Sequence, residues 1–383
     1  MNFALQNTLE LVLVIGLGLL LQKKIAKQDL KGVKTIILSV ALPAVIFVAL
    51  LKIKLESSLL IFPLLALAFN LILFLATKYV LAPSLPKNEG PKKRTLMMLM
   101  PSLAPGLSCF PFIVVYLGDD SLALAALADV GNKIFVLILL YMLAMHWYHL
   151  RSLKTIKTSS KSKLRDLGLA LLREPINMVI IVGLVLLALG LNLESLPVFL
   201  QHTIGELKMI MAPLILLFIG MAVRIKSGEF GIIVSLLARR AGITFLVSAA
   251  FVFLFPTLSP ALLLLLVVFP QSACSFWPFA HMSAISTLED TDAQKKPTFD
   301  IDFAVNVLAC SLPFSTVMVI GIFSFDQLFI DPIVLLAFGA LFIGGSFMPN
   351  LILRLKGDEQ SEPSGNYSTY VGLNAQSQSS EDK

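Results

Sequence analysis

Apolar runs close to 20 residues long recur from one end of the chain to the other, and they constrain the fold more than any other feature. A run of about 20 apolar residues is the length that an α-helix needs to cross the hydrocarbon core of a bilayer. The composition agrees, because 57% of the 383 residues are hydrophobic and only 14% are charged. The sequence therefore predicts an all-α polytopic membrane protein.

The runs predict eleven transmembrane helices, numbered here in chain order. They cover about residues 8–22, 34–51, 57–78, 94–117, 121–145, 175–192, 207–224, 236–256, 258–282, 301–323 and 330–353. A basic linker is expected at residues 147–174, and a disordered cytoplasmic tail at residues 356–383, which are polar and too poor in apolar side chains to form a core.

Lys and Arg residues are concentrated in the loops that follow odd-numbered helices. The loops that follow even-numbered helices hold only Lys52, Lys54 and Lys208. Because cytoplasmic loops carry an excess of positive charge, this bias predicts a multi-pass protein of the plasma (cytoplasmic) membrane with its N-terminus outside and its C-terminus in the cytoplasm. Membrane orientation also explains the net charge of +6, so no nucleic-acid partner is expected.

Arg239 and Arg240 fit this layout least well, because they fall inside the predicted helix 8. An ionised side chain is costly inside a bilayer. We therefore expect either that helix 8 is shortened or that the stretch from Glu229 to Arg240 lies along the membrane surface.

An internal repeat relates two halves of the chain. Four landmarks recur in the same order at separations of 165–174 positions. The matched pairs are Gly16 with Gly183, Pro43 with Pro213, Pro105 and Cys109 with Pro270 and Cys274, and Asn132 with Asn306. Repeats in this order predict one structural unit used twice.

Each repeat contains five helices, and an odd number inserts the second unit upside down relative to the first. The expected fold is thus two inverted five-helix repeats, at residues 1–146 and 175–323, with broken helices 4 and 9 that cross, plus an appended eleventh helix within residues 324–355. Inverted repeats whose discontinuous helices meet near the midplane are typical of secondary transporters.

The segment SLAPGLSCFPFIVV of helix 4 and its counterpart VVFPQSACSFWPFA of helix 9 predict the binding site. Proline in a helix frees backbone carbonyls, and such breaks are tolerated in a membrane where protein or a wet cavity satisfies them. The half-helix N-termini suit an anion, and the freed carbonyls suit a cation or a polar ligand. The expected substrate-binding residues are Pro105, Gly106, Ser108, Cys109, Pro111, Asn132, Lys133, Pro270, Gln271, Ser272, Cys274, Ser275 and Asn306.

Lys133 lies near the expected midplane of helix 5, and Asp129 precedes it by one turn, at a spacing that allows an ion pair. Two interpretations stay open. The pair is either a buried structural element, or Lys133 attracts an anionic substrate while Asp129 sets its charge or exchanges a proton.

Three stretches resemble the auxin efflux carrier family of membrane transporters, within the bile acid/sodium symporter-like superfamily. They are PFIVVYLG in helix 4, EPINMVIIVGLVLLALGL in helix 6 and APLILLFIGMAV in helix 7. The resemblance implies a ten-helix core in which a scaffold bundle and a transport bundle move relative to each other, and organic anions as substrates. Ala104 stands where members carry an Asn and Cys109 where they carry a Gly, which puts the family's usual ligand contacts in doubt.

The expected function is secondary transport of a small organic anion, a carboxylate or an auxin-like molecule. The alternatives are a ligand-binding receptor or sensor built on a transporter fold, and a sodium-coupled symporter of larger amphipathic anions. An intramembrane enzyme is not expected, because the chain has no His-Glu-x-x-His helix, and an ATP-driven pump is not expected, because it has no Walker-type glycine loop. No cofactor or metal site is expected, although a sodium ion or a proton could be the coupling ion. The expected partners are the anion, the lipid bilayer and, compatible with the sequence, a second copy in a homodimer.

Overall fold

The chain is an all-α polytopic membrane protein, as its apolar runs predict. The computed structural model describes residues 3–52, 57–86, 88–151, 169, 173, 175–222, 229–289 and 297–346, and these residues form helices and loops without a strand. Within this part of the chain, seven helices are long and apolar enough to cross a membrane, and three shorter apolar helices accompany them. Together with the broken fourth helix, they provide a counterpart for each of the eleven predicted spans.

The helices are labelled α1–α11, with a and b for the halves of broken ones. They are α1 Phe3–Leu21, α2 Asp29–Leu50, α3 Ile61–Ser84, α4a Gly90–Leu99, α4b Pro105–Ser108 with Phe110–Tyr116, α5 Gly118–Arg151, α6 Pro175–Ala188, α7 Val198–Ala222, α8 Phe230–Leu254, α9a Pro260–Val268, α9b Phe276–Glu289, α10 Ile301–Ser324 and α11 Pro332–Gly345.

Several predicted boundaries are wrong, and three of them bear on the site or on the expected linker. Helix α8 begins at Phe230 and runs straight through both arginines, which are buried among other helices, so neither a shortened helix nor a surface stretch is needed. Helix α7 begins at Val198, and α5 continues to Arg151, into the segment expected to be a linker. Residues 152–168 of that linker and the tail at 356–383 lie outside the described residues.

We sort the helices into two groups by their close contacts, and the groups meet where α2 packs on α5. Helix α1 packs on α7, and α2 packs on α6 and α7. In the second group, α3 packs on α5 and α8 packs on α11. Helix α9 packs on α5 and α8, and α10 packs on α4a, α8 and α9. Glycines allow the closest approaches: a Cβ on Gly220 of α7 would lie 2.1 Å from the Ile15 oxygen, and one on Gly131 of α5 would lie 1.9 Å from the Pro63 oxygen.

Among the described residues, two separate hydrophobic clusters form the core, with polar residues between them. On α5 the first cluster reaches Ala128 and the second begins at Phe135. On α8 the clusters stop at Leu237 and Phe245, on either side of the two arginines. The buried polar side chains between the clusters define what we call the polar layer: Asn70, Ser102, Asp129, Asn132, Lys133, Arg239, Arg240, Thr244, Gln271, Ser272, Ser311, Ser315 and Thr316.

Candidate functional site

Helix α4 is interrupted ahead of Pro105, earlier than the sequence suggests. Helix α4a ends at Leu99, and the chain is non-helical from Ser102 to Ala104. Pro105 then occupies the first turn of the next helical piece, and Pro111 occupies the first turn of the piece that follows. Proline is tolerated at these positions because the N-H it lacks would have no partner there. The two prolines therefore start helical pieces rather than break a continuous helix.

Helix α9 is interrupted at residues 272–275. A tight helical turn, Phe269–Gln271, contains Pro270 and follows α9a, and α9b begins at Phe276. The serines and Cys274 of this segment are buried. The segment is thus an irregular backbone stretch held inside protein, as a membrane requires.

The two interruptions contact each other directly, and we call residues 101–104 together with 272–275 the crossover. The Ala104 N-H donates to the Ala273 carbonyl at 2.8 Å. The Ala273 N-H donates to Ser108 Oγ at 2.9 Å, and the Ser275 N-H donates to Ser102 Oγ at 3.0 Å. Each interruption therefore supplies partners for backbone groups that the other has freed.

Arg240 of α8 binds both sides of the crossover. Its Nε donates to the Met100 carbonyl at 2.7 Å, and Nη2 lies 2.9 Å from the Ser272 carbonyl and 3.4 Å from the Ser102 carbonyl. The side chain is buried, with 3% of the residue exposed. One guanidinium thus replaces the helical donors that three carbonyls have lost.

Asn132 of α5 fixes the interruption in α4. Its Nδ2 donates to the Leu103 carbonyl at 2.9 Å, and its Oδ1 accepts from the Leu103 N-H at 3.2 Å. Asn132 also accepts from Asn70 of α3 at 2.8 Å and donates to Asp129 at 2.8 Å. Within the described residues, the Asn70 Oδ1 atom is buried without a hydrogen-bond partner, so the network keeps one open acceptor.

Lys133 and Asp129 form the ion pair that their spacing predicts. Lys133 Nζ lies 3.3 Å from Asp129 Oδ2, and only 6% and 5% of the two side chains are exposed. Lys133 also donates to Asn177 Oδ1 of α6 at 3.2 Å. Because α6 belongs to the other helix group, Lys133 ties the polar layer to the group formed by α1, α2, α6 and α7.

The remaining predicted site residues of helices 4 and 9 lie at or next to the crossover. Cys109 is buried and lies next to Ser272. Gly106 faces α2, where an added Cβ would lie 3.0 Å from Leu42 Cδ2. The Gln271 amide donates to the Ala241 carbonyl at 3.2 Å, and the Cys274 N-H donates to Ser311 Oγ of α10 at 3.3 Å.

Asn306 is not part of the crossover, although the repeat pairs it with Asn132. Its Nδ2 donates to Glu229 Oε2 at 3.3 Å, at the start of α8, and Glu229 also accepts from Lys92 at 2.9 Å. The hydrogen bond from Lys92 lowers the pKa of Glu229 from its usual value. The contact between α10 and the crossover is made by Ser311, which lies more than one helical turn after Asn306 and accepts from the Cys274 N-H.

A second charged cluster lies where the two helix groups meet near the start of α5. Asp119 accepts from Lys208 of α7 at 2.6 Å and from Lys52 at 2.7 Å. The same region holds a cavity of about 400 Å³, lined by the start of α5, the middle of α7, the second half of α4b and Val45. Two of the three lysines expected outside the membrane therefore converge on one carboxylate.

Sequence reasoning missed Arg240, Asn70, Asn177 and Ser102 as residues of the site. A signal for Arg240 was present, because an arginine within an apolar run is as unusual as Lys133. Asn70 and Asn177 are single carboxamides in apolar helices, and this signal is too common to identify partners.

No protein-family model matches this chain. A search of curated proteins likewise finds no match. The site is therefore interpreted from its own geometry.

Proposed function

We propose that this membrane protein is a secondary transporter that moves a small organic anion by alternating access at the crossover. The observation that carries the proposal is the direct contact between two helix interruptions inside a buried polar layer. Discontinuous helices that meet in this way form the substrate sites of many secondary transporters.

The charges of the polar layer favour an anion. Asp129 offsets Lys133 at 3.3 Å, whereas Arg240 contacts carbonyl oxygens. The layer therefore carries an excess of positive charge, and a carboxylate entering it would gain a nearby cation in place of part of its lost hydration.

The two helix groups supply the moving parts. We propose that α1, α2, α6 and α7 form the scaffold bundle and that the other helices carry the crossover as the transport bundle. Lys133 to Asn177 and Asp119 to Lys52 and Lys208 are contacts between the bundles, and we infer that they break and re-form during transport. The proposal includes membership of the auxin efflux carrier family, which rests on the three stretches quoted from helices 4, 6 and 7.

Uptake into proteoliposomes tests the proposal. Purified protein is reconstituted and offered labelled short dicarboxylates and indole-type monocarboxylates, with pH gradients and the membrane potential imposed separately. We expect saturable uptake of at least one anion that a pH gradient or the potential drives. Liposomes with the Asn132→Ala variant serve as the control, because loss of the Leu103 contacts disturbs the crossover without removing a charge.

A receptor is the second candidate, and one contact favours it. Ser346, at the end of α11, accepts from Arg239 Nε at 2.9 Å, so the helix that precedes the polar tail is bound to the neighbour of Arg240. Saturable binding of an anion without flux in any gradient would replace the transporter by the receptor.

A further inference from the structure

Arg240 contacts the crossover in the way that a bound metal cation would. Its three acceptors are backbone carbonyls, two from the α4 interruption and one from the α9 interruption. In the described part of the chain, no carboxylate forms an ion pair with it. Carbonyl oxygens that have lost their helical donors are the ligands that bind hard cations inside membrane proteins.

The guanidinium also suits this place better than an ammonium would. Its planar fork presents several N-H groups in fixed directions, so it can bridge carbonyls on two separate segments. A lysine has the same charge, but its ammonium group is compact. It therefore cannot donate to carbonyls on both segments in the way that the planar guanidinium does.

We propose that Arg240 is a tethered cation that occupies the cation position of the crossover and makes transport independent of sodium. A sodium ion would need the carbonyls of Met100, Ser102 and Ser272, which already accept from Arg240. It would also lie close to a fixed positive charge in a region of low dielectric constant. This inference rests on the proposed transport function, deepens it by excluding one coupling ion, and assigns Arg240 as a positioning residue.

The first test compares wild-type protein in sodium, potassium and choline chloride at equal ionic strength. We expect the same initial uptake rate in all three salts and the same thermal unfolding midpoint in detergent. Uptake that requires sodium, or a midpoint that rises with sodium but not with potassium or choline, would overturn the inference.

The second test removes the cation and supplies it again from solution. Arg240→Ala leaves three buried carbonyls without donors, so uptake should fall roughly tenfold or more. Millimolar guanidinium should restore part of the uptake and raise the unfolding midpoint of this variant in a saturable way. Arg239→Ala is the matched control, because it removes a buried guanidinium from the next position, and guanidinium should not restore it.

Further variants keep the inference testable when Arg240→Ala cannot be purified. Arg240→Lys retains the charge and should show slower uptake that is still independent of sodium. Arg240→Gln lacks the charge, and an uptake rate in this variant equal to that of the wild type would overturn the inference. The thermal measurements need no substrate, so a chain that transports none of the anions contradicts the proposed function while the midpoints still decide the role of Arg240.

Discussion

Asn132 shows how one side chain can stabilise an irregular backbone inside a membrane protein. A single carboxamide pairs with both the N-H and the carbonyl of Leu103, and it also bonds Asn70 and Asp129. An amide can do this because it carries donors and an acceptor side by side. The interruption in α4 is therefore held from a neighbouring helix rather than by its own hydrogen bonds.

Replacing Asn132 by Ala should lower stability markedly. Leu103 and Asn70 would keep buried polar groups without partners, at a cost of about 3 kcal/mol or more. The thermal unfolding midpoint of the detergent-solubilised protein measures the effect. Asn306→Ala is the control, since Asn306 is half-buried and bonds Glu229 outside the crossover. Equal midpoints for the two variants would contradict the role assigned to Asn132.

Variants of the Asp129–Lys133 pair should affect stability and transport differently. Lys133→Met leaves Asp129 buried without its cation, which costs roughly 3–5 kcal/mol, and the double variant with Asp129→Asn should recover most of that loss. Uptake by the double variant should nevertheless stay well below that of the wild type, because the buried cation that would attract the anion is gone. Normal uptake with unchanged pH dependence in Lys133→Ala would show that the pair is structural only.

The sequence predicts that a helix is interrupted, but it does not predict at which residues. Prolines beside small polar residues correctly indicated that α4 and α9 are discontinuous. They did not indicate that Pro105 and Pro111 start helical pieces, because proline is accepted in a first turn as readily as it ends a helix. The Asp129–Lys133 pair followed from spacing within one helix, whereas the contacts of Arg240 and Asn132 depend on which helices pack together.

Close packing of α5 on α3 gives a test at the scale of helices. A Cβ at Gly131 would lie 1.9 Å from the Pro63 carbonyl oxygen, so Gly131→Ala must push the two helices apart. We expect a loss of about 1–3 kcal/mol, together with reduced uptake because Asn132 is the next residue. Gly321→Ala in α10 is the control. It has no atom within 4 Å of the added methyl group and should be neutral or slightly stabilising. An unchanged unfolding midpoint for Gly131→Ala would argue against this helix contact.

At the scale of the whole molecule, the Asp119 cluster should favour a state closed at the end predicted to face outside. Asp119→Asn removes the carboxylate that binds both lysines, and partly exposed ion pairs contribute about 0.5–1 kcal/mol. The open state should therefore become a few times more populated. Labelling of an Ala212→Cys reporter by a membrane-impermeant maleimide should accelerate accordingly.

The adjacent Asp120→Asn provides the matched control for this measurement, because Asp120 is exposed at the same turn. Its labelling rate should equal that of the unmodified reporter. High salt should accelerate labelling of the reporter while leaving the Asp119→Asn rate nearly unchanged, since salt screens the pair. Identical rates for all three proteins would mean that the cluster does not hold the bundles together.

The division of the core into two hydrophobic clusters changes the barrier that a charged solute must overcome. A membrane core of about 30 Å presents one thick insulating slab, and the energy of an ion within it is highest at the centre. We expect the polar layer, which carries donors, carbonyl dipoles and a fixed charge between the two hydrophobic clusters, to lie near that centre. On that expectation the barrier becomes two insulating films of roughly 15 Å each, and the proposed transport would require hydration of only one film at a time.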